Sequence, residues 1–140
     1  MTVIDGAQAN MGRMASVVAK KLLSGEQVDL INAEKIVISG NKEQMLEKYK
    51  KRSLQRYLGN PKIGPKFYRM PTMIVKAAVR GMLPIKTPRG REAMKKFKAY
   101  IGVPRQFKES KPRIISEAAK GVSKKLVSVE EISRMLGAKW

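Results

Sequence analysis

Residues 79–104 read VRGMLPIKTPRGREAMKKFKAYIGVP and alternate packing residues with cations over almost their whole length. Thr87 followed by Pro88 indicates a helix start, because the Thr hydroxyl can accept from a free backbone N–H and proline has no N–H to leave unpaired. Ala93 and Phe97 then recur at helical spacing, so we predict a helix that buries this face and ends at the Tyr-Ile-Gly that follows. Most of the cations fall on its other face.

Positive charge is concentrated in the middle of the chain. The whole sequence holds 30 Lys and Arg against 11 Asp and Glu, a formal net charge of +19. Residues 1–40 are balanced at four of each, whereas residues 41–113 hold twenty-one cations against four acids. A merely solvated surface normally intersperses acids among its lysines. The scarcity of acids therefore indicates that the middle of the chain binds a polyanion.

The first forty residues predict the beginning of a parallel α/β layer. Residues 2–5 form a short apolar run, and apolar residues then recur at helical spacing from Met11, with Asn10 as the predicted cap. Two β-rich runs follow at 27–32 and 35–39, with only two residues between them. A parallel crossover usually needs a dozen or more. Either the chain bends there without direct pairing, or one run is not a strand.

Basic helices and loops are predicted next. Asn41 begins a capping-box pattern, and the apolar positions after it predict a helix that reaches Leu58. Residues 59–69 are rich in Gly, Pro and cations and predict a basic loop. Pro71 starts another helix, in which Gly81 is expected to permit close backbone approach before a proline ends it three residues later.

Composition bounds the remaining possibilities. With 140 residues and 43% hydrophobic residues, the chain has enough apolar surface for one core. We predict a core at 1–104 and an extended tail at 105–140, in which Ser128 and Glu131 cap a short helix. The sequence contains no Cys and no His, which excludes disulfides, zinc ribbons, thiolate nucleophiles and imidazole bases. No apolar run is long enough to span a bilayer, so we expect a cytosolic protein without membrane contact.

Two regions resemble the universal large-subunit ribosomal proteins of the thirteenth family. The central signature of that family is similar to residues 79–84, 89–91 and 97–102, which read VRGMLP, RGR and FKAYIG. Its amino-terminal pattern is similar to DG at 5–6, MGRMA at 11–15, NAEKI at 32–36 and SGNK at 39–42. The resemblance is weaker in the tail, whose pattern looks more like the archaeal and eukaryotic branch.

The resemblance implies a three-layer α/β/α domain around a small, mainly parallel sheet, with basic helices and loops and an extended C-terminal tail. It implies a structural constituent of the large subunit in the cytoplasmic ribosome, which binds and stabilises folded ribosomal RNA beside neighbouring ribosomal proteins. It also implies no enzymatic activity, no cofactor and no small-molecule substrate.

The cations of the middle segment, with one arginine near the amino terminus, form the predicted RNA-binding surface, because cations bind phosphate without reading sequence. Replacing Arg89 and Arg91 with Ala is expected to leave the free fold intact. Tyr49 and Tyr57 could stack on bases, but their spacing of eight residues puts them on one helix face and favours a core role. The predicted RNA-binding residues are Arg13, Lys48, Lys50, Lys51, Arg52, Arg56, Lys62, Lys66, Arg69, Lys76, Arg80, Lys86, Arg89, Arg91, Lys95, Lys96, Lys98 and Arg105.

Two other classes of protein remain as alternatives. A Rossmann-like RNA-modifying enzyme would place its site at Asp5, Asn32 and the glycine loops, because such loops before helices bind phosphates. However, neither G-x-G-x-x-G nor G-x-x-x-x-G-K-[ST] is present. A chromatin-like protein that binds DNA without sequence specificity is favoured by charge alone.

Overall fold

The computed structural model describes residues 2–60, 62–65, 67–107, 112–114 and 125–140. Its strands are β1 (Thr2–Asp5), β2 (Val28–Ile31), β3 (Val37–Ser39), β4 (Phe97–Ala99), β5 (Arg113–Ile114) and β6 (Leu126–Ser128). Its helices are α1 (Met11–Leu23), α2 (Lys42–Leu54), α3 (Pro71–Met82), α4 (Pro88–Lys95) and α5 (Val129–Met135). The main sheet has the order β4-β2-β1-β5, and all of its pairs are parallel. The prediction of an α/β fold with a small, mainly parallel sheet is confirmed.

The two β-rich runs near the amino terminus belong to different sheets. β2 lies in the main sheet, whereas β3 pairs with β6 in an antiparallel sheet of two strands. A short 3-10 turn at Ala33–Lys35 separates them, with Asn32 at a left-handed φ of 54° just before it. The first of the two alternatives is therefore confirmed, since both runs contain strands and the chain bends between them without pairing one to the other.

α1 forms as its sequence predicts. The side chain of Asn10 accepts from the backbone N–H of Gly12 at 3.2 Å, and Gly25 adopts a left-handed φ of 95° just past the end. The apolar face of the helix packs against α3 and the main sheet. The buried residues of α1 are Met14, Ala15, Val18, Ala19 and Leu22.

The helix that begins at Pro88 is shorter than predicted. Thr87 caps it, because its hydroxyl accepts from the backbone N–H of Gly90 at 3.3 Å. α4 ends at Lys95, and β4 then pairs with β2 in parallel, with Phe97 opposite Val28. The prediction that the helix reaches Tyr-Ile-Gly is wrong, because Phe97–Ala99 pair with β2 as a strand and the Tyr-Ile-Gly residues follow that strand. The side chains of β4 alternate between buried, exposed and buried, as strand geometry requires.

α2 is also shorter than predicted and makes few core contacts. It ends at Leu54 instead of Leu58, and none of its residues is fully buried. Asn41 is the N-cap residue, but its side chain forms no capping hydrogen bond, so the predicted capping box is not present. Tyr49 packs partly against the core, whereas Tyr57 is 59% exposed, so the core role predicted for Tyr57 is wrong.

β2 is buried along its whole length, which requires cover on both faces of the sheet. Val28 and Leu30 belong to the core that contains α1 and α3, and the intervening Asp29 points to the opposite face. Segments beyond residue 104 contribute β5 to the sheet and bury Val127 and Ile132 of β6 and α5. The boundary between core and tail at 104 and 105 stays a prediction. No helix within the described ranges has the length and apolarity needed to cross a membrane.

Candidate nucleic-acid interface

The predicted RNA-binding cations lie at the molecular surface. All of those that the structure describes are exposed, except Lys76, which is half-buried. Lys66 lies outside the described residues. Lys51 pairs with Glu47 at 2.8 Å on the exposed face of α2. The hydrogen bond from the Lys51 ammonium, reinforced by its charge, lowers the pKa of the Glu47 carboxyl.

Lys95, Lys96 and Lys98 form a cluster that we call the lysine cluster. Together with Gln27 and Glu92, these residues line an open depression of about 400 Å³ at the carboxyl end of α4. Lys98 projects from β4 to the exposed side, while its two neighbours in the strand are buried. The lysine cluster therefore concentrates three cations beside a single acid.

Two of the predicted cations also hold the carboxyl end of α1. The Arg89 guanidinium donates to the carbonyl oxygen of Leu23 at 3.0 Å, and the Lys96 ammonium donates to that of Gly25 at 3.2 Å. The last carbonyls of a helix lack partners within the helix and carry partial negative charge, so cations there are stabilising. Arg89 therefore contacts the end of α1 as well as the surface, and the expectation that the double Ala variant keeps its fold stays a prediction.

Gly90, not Gly81, is the glycine that permits close approach. A Cβ at Gly90 would overlap the carbonyl group of Pro84 and lie 3.0 Å from the nitrogen of Ile85. A Cβ at Gly81 would meet none of the described residues within 4 Å, so the close approach predicted there is wrong. The VRGMLP and RGR motifs are thus in direct contact, because the turn after α3 lies on Gly90 of α4.

The polar residues at the carboxyl edge of the sheet bind one another. Asp5 Oδ1 accepts from the backbone N–H of Ala7 and from Asn32 Nδ2, both at 2.9 Å. Glu34 Oε2 accepts from the backbone N–H of Gly102 at 3.0 Å. Asp5 and Asn32 are the side chains that a Rossmann-like enzyme would use for its ligand, and here the hydrogen bond between them joins the ends of neighbouring strands. No group of acids that could hold a metal ion occurs among the residues described.

A buried contact that sequence reasoning missed joins Asp29 to Tyr100. Asp29 is 1% exposed, and one of its oxygens, Oδ1, has no hydrogen-bond partner within the described parts of the chain. Burial, the charge of Asp29 and the hydrogen bond to it raise the pKa of the Tyr100 phenol. The Tyr100 ring also lies 5.6 Å from that of Phe107. This contact fastens the segment after β4 to the second face of the sheet.

A groove of about 820 Å³ lies on the described surface, and we call it the aromatic groove. Tyr49 of α2 and the adjacent Phe67 and Tyr68 supply its aromatic surface. Its cations come from three separate segments and are Arg52, Arg80 and Lys86. The sequence signal for this site was the pairing of Phe67 with Tyr68 inside a basic loop, but only the fold brings them opposite α2.

The fold and its surface define a class: a small, basic α/β protein with exposed cations on its helices and a polar sheet edge that is internally bonded. Residues 1–106 match the family described as Ribosomal protein L13. The chain belongs to the ribosomal protein L13 family.

Relatives from archaea extend the match to the whole chain. The protein of Methanococcoides burtonii is 44% identical over 142 residues and that of Methanococcus maripaludis 44% over 141, in both cases across the full length of both chains. The protein of Methanopyrus kandleri is 49% identical over 119 residues, which cover 84% of this chain and 73% of the relative. All three are named large ribosomal subunit protein uL13. The resemblance noted in the sequence is confirmed.

Proposed function

We propose that this protein is a structural constituent of the large subunit of the cytoplasmic ribosome and has no enzymatic activity. It binds and stabilises folded ribosomal RNA, and neighbouring ribosomal proteins lie beside it. Family membership supports the ribosomal role, and the names of the relatives specify the large subunit.

The observation that carries the RNA-binding proposal is the exposure of a large, unbalanced set of cations. Residues 41–113 hold twenty-one cations against four acids, and those on α2, α3 and α4 are exposed except for the half-buried Lys76. Such cations displace condensed counterions from the RNA backbone, so affinity depends steeply on salt. Because phosphate contacts carry no sequence information, recognition follows from the shape of the folded RNA.

Neither alternative class is supported. Asp5 and Asn32, the side chains expected in the site of a Rossmann-like enzyme, are hydrogen-bonded to each other, and Asp5 also accepts from the backbone N–H of Ala7. A DNA-binding chromatin protein has only net charge in its favour, and the family to which the chain belongs is ribosomal. The full-length protein should therefore cosediment with intact large subunits; recovery in the free fraction would contradict the ribosomal assignment.

The lysine cluster offers a direct test of the binding surface. Lys95→Gln with Lys98→Gln removes two exposed charges from it, and Lys20→Gln with Lys35→Gln removes two exposed charges from the balanced amino-terminal segment. Binding of large-subunit RNA is measured by filter retention at several salt concentrations, after circular dichroism confirms folding. We expect the slope of log affinity against log salt to fall by about two in the lysine-cluster variant and to stay unchanged in the control. Equal losses in both variants would show that binding follows net charge alone.

A further inference from the structure

The aromatic groove lies among the cations of the surface. Phosphate binding does not explain its aromatic and apolar lining. Its lining includes the buried Ile74 and Leu83, and its apolar surface would stay in contact with water if nothing bound there. Phe67 and Tyr68 are 43% and 40% exposed. Aromatic surface clustered in a concave site usually marks a place where a partner binds.

The composition of the groove selects among partners. Arg52, Arg80 and Lys86 lie along it, and no Asp or Glu occurs among its described lining residues. An apolar protein segment would cover these cations without supplying opposite charge, which carries a desolvation cost. A nucleotide satisfies both surfaces, because its base can stack on an aromatic ring while its phosphate pairs with a cation.

The dimensions and the protonation state agree with this ligand. The volume of about 820 Å³ lies in the range of roughly 300–1,000 Å³ that is usual for sites binding small molecules the size of a nucleotide. Burial raises the pKa of the Tyr49 phenol, although the nearby Arg52 opposes the effect. An ordinary Tyr phenol, with a pKa of about 10, is already protonated at neutral pH, so the Tyr49 ring adds no negative charge that would repel a phosphate.

We infer that the aromatic groove binds an unpaired nucleotide of ribosomal RNA, with its base stacked on Phe67 or Tyr68 and its flanking phosphates held by Arg52, Arg80 and Lys86. The inference rests on the proposed RNA binding and adds a second kind of contact to it. Stacking gives the groove a preference for single-stranded or bulged RNA, whereas the lysine cluster binds phosphates in any context.

The salt dependence of RNA binding separates the two kinds of contact. Phe67→Leu with Tyr68→Leu removes the rings but no charge, so affinity for large-subunit RNA should fall by roughly five- to hundredfold at every salt concentration, with the slope unchanged. The conservative variant Phe67→Tyr keeps the ring and should bind like the wild type. Tyr57→Leu removes an exposed aromatic side chain that does not line the groove, and it should also retain affinity.

Three results would overturn the inference while leaving the proposed function intact: full affinity of the double Leu variant, a changed slope in that variant, or an equal loss in Tyr57→Leu. If wild-type protein did not bind the RNA at all, the proposed function itself would fail. The partner class is tested in assembled large subunits that carry a photoreactive benzophenone amino acid in place of Phe67. Crosslinking to a nucleotide is the expected result, and crosslinking to a ribosomal protein instead would assign the groove to a protein neighbour.

Discussion

α1 and α2 are both thirteen residues long, yet α1 is packed into the core and α2 is exposed. α1 buries an apolar face between the sheet and α3, and the side chain of its N-cap residue forms a capping hydrogen bond. α2 has no fully buried residue, its N-cap side chain forms no such bond, and its surface is dominated by Lys and Arg. The core is therefore specified by α1, while α2 presents charge.

The difference teaches that exposure and charge must be judged together. Lys21 and Lys20 near the end of α1 are cations as well, but Lys21 pairs with Glu26 at 3.4 Å. In α2, Lys51 pairs with Glu47, while Lys48, Lys50 and Arg52 are exposed without an acid in an ion pair among the described residues. An RNA backbone can therefore bind most of the cations of α2 without breaking an existing ion pair.

The largest effect is expected from placing a carboxylate on each helix. Val18 of α1 is fully buried and Leu54 of α2 is 63% exposed. Val18→Asp should destabilise the fold by more than about 4 kcal/mol, because it buries an unpaired charge, whereas Leu54→Asp should change stability by no more than about 0.5 kcal/mol. Urea denaturation followed by circular dichroism measures both. Similar losses in the two variants would mean that α2 belongs to the core.

Smaller changes in stability are expected when two glycines of the central motifs are replaced, and the two changes should have opposite signs. Gly90→Ala forces the turn at Pro84 to move and should cost about 2 kcal/mol. Gly81→Ala meets open space within α3 and should stabilise the protein by up to about 1 kcal/mol, because Ala favours the helix more than Gly. Thermal unfolding of the two variants decides, and destabilisation of both by the same amount would contradict the assignment of close packing to Gly90.

The smallest effect is expected on the pKa values of Glu26, which follows α1, and of Glu47 in α2. The Thr2 hydroxyl donates to Glu26 at 2.9 Å and, with help from Lys21, lowers the pKa of that carboxyl. The pKa of Glu47 is lowered by the hydrogen bond from Lys51 and by its charge. About 1 M salt should therefore raise the pKa of Glu47 toward its ordinary value more than that of Glu26, because screening weakens ion pairs and leaves a hydroxyl hydrogen bond largely intact.

Lowered carboxyl pKa values also set the direction of the pH dependence. Each of the two acids stabilises the folded state above the ordinary Glu pKa of about 4.3, and this stabilisation is lost as pH falls through the lower, folded-state value. An NMR titration of the side-chain carboxyls at low and high salt measures both values. If salt changed both pKa values equally, the hydroxyl of Thr2 would contribute little to the lowered pKa of Glu26.

Local sequence alone determined the elements whose signals lie within one or two helical turns. α1 was predictable because its apolar spacing, its Asn10 cap and the glycine after it agree with one another. Thr87 and Pro88 fixed the start of α4 for the same reason. The difference in net charge between residues 1–40 and 41–113 follows directly from the sequence, and it indicates a polyanion as the partner.

The tertiary structure alone decided the features that depend on distant pairing. A strand of three residues is too short to reveal its period, so the sequence predicts that α4 continues through β4, and only pairing with β2 makes this segment a strand. β3 lies outside the main sheet because it pairs with β6, which is far away in the sequence. The aromatic groove, the contact between Gly90 and Pro84 and the hydrogen bonds from Arg89 and Lys96 to the end of α1 arise from packing between separate segments, which no local pattern encodes.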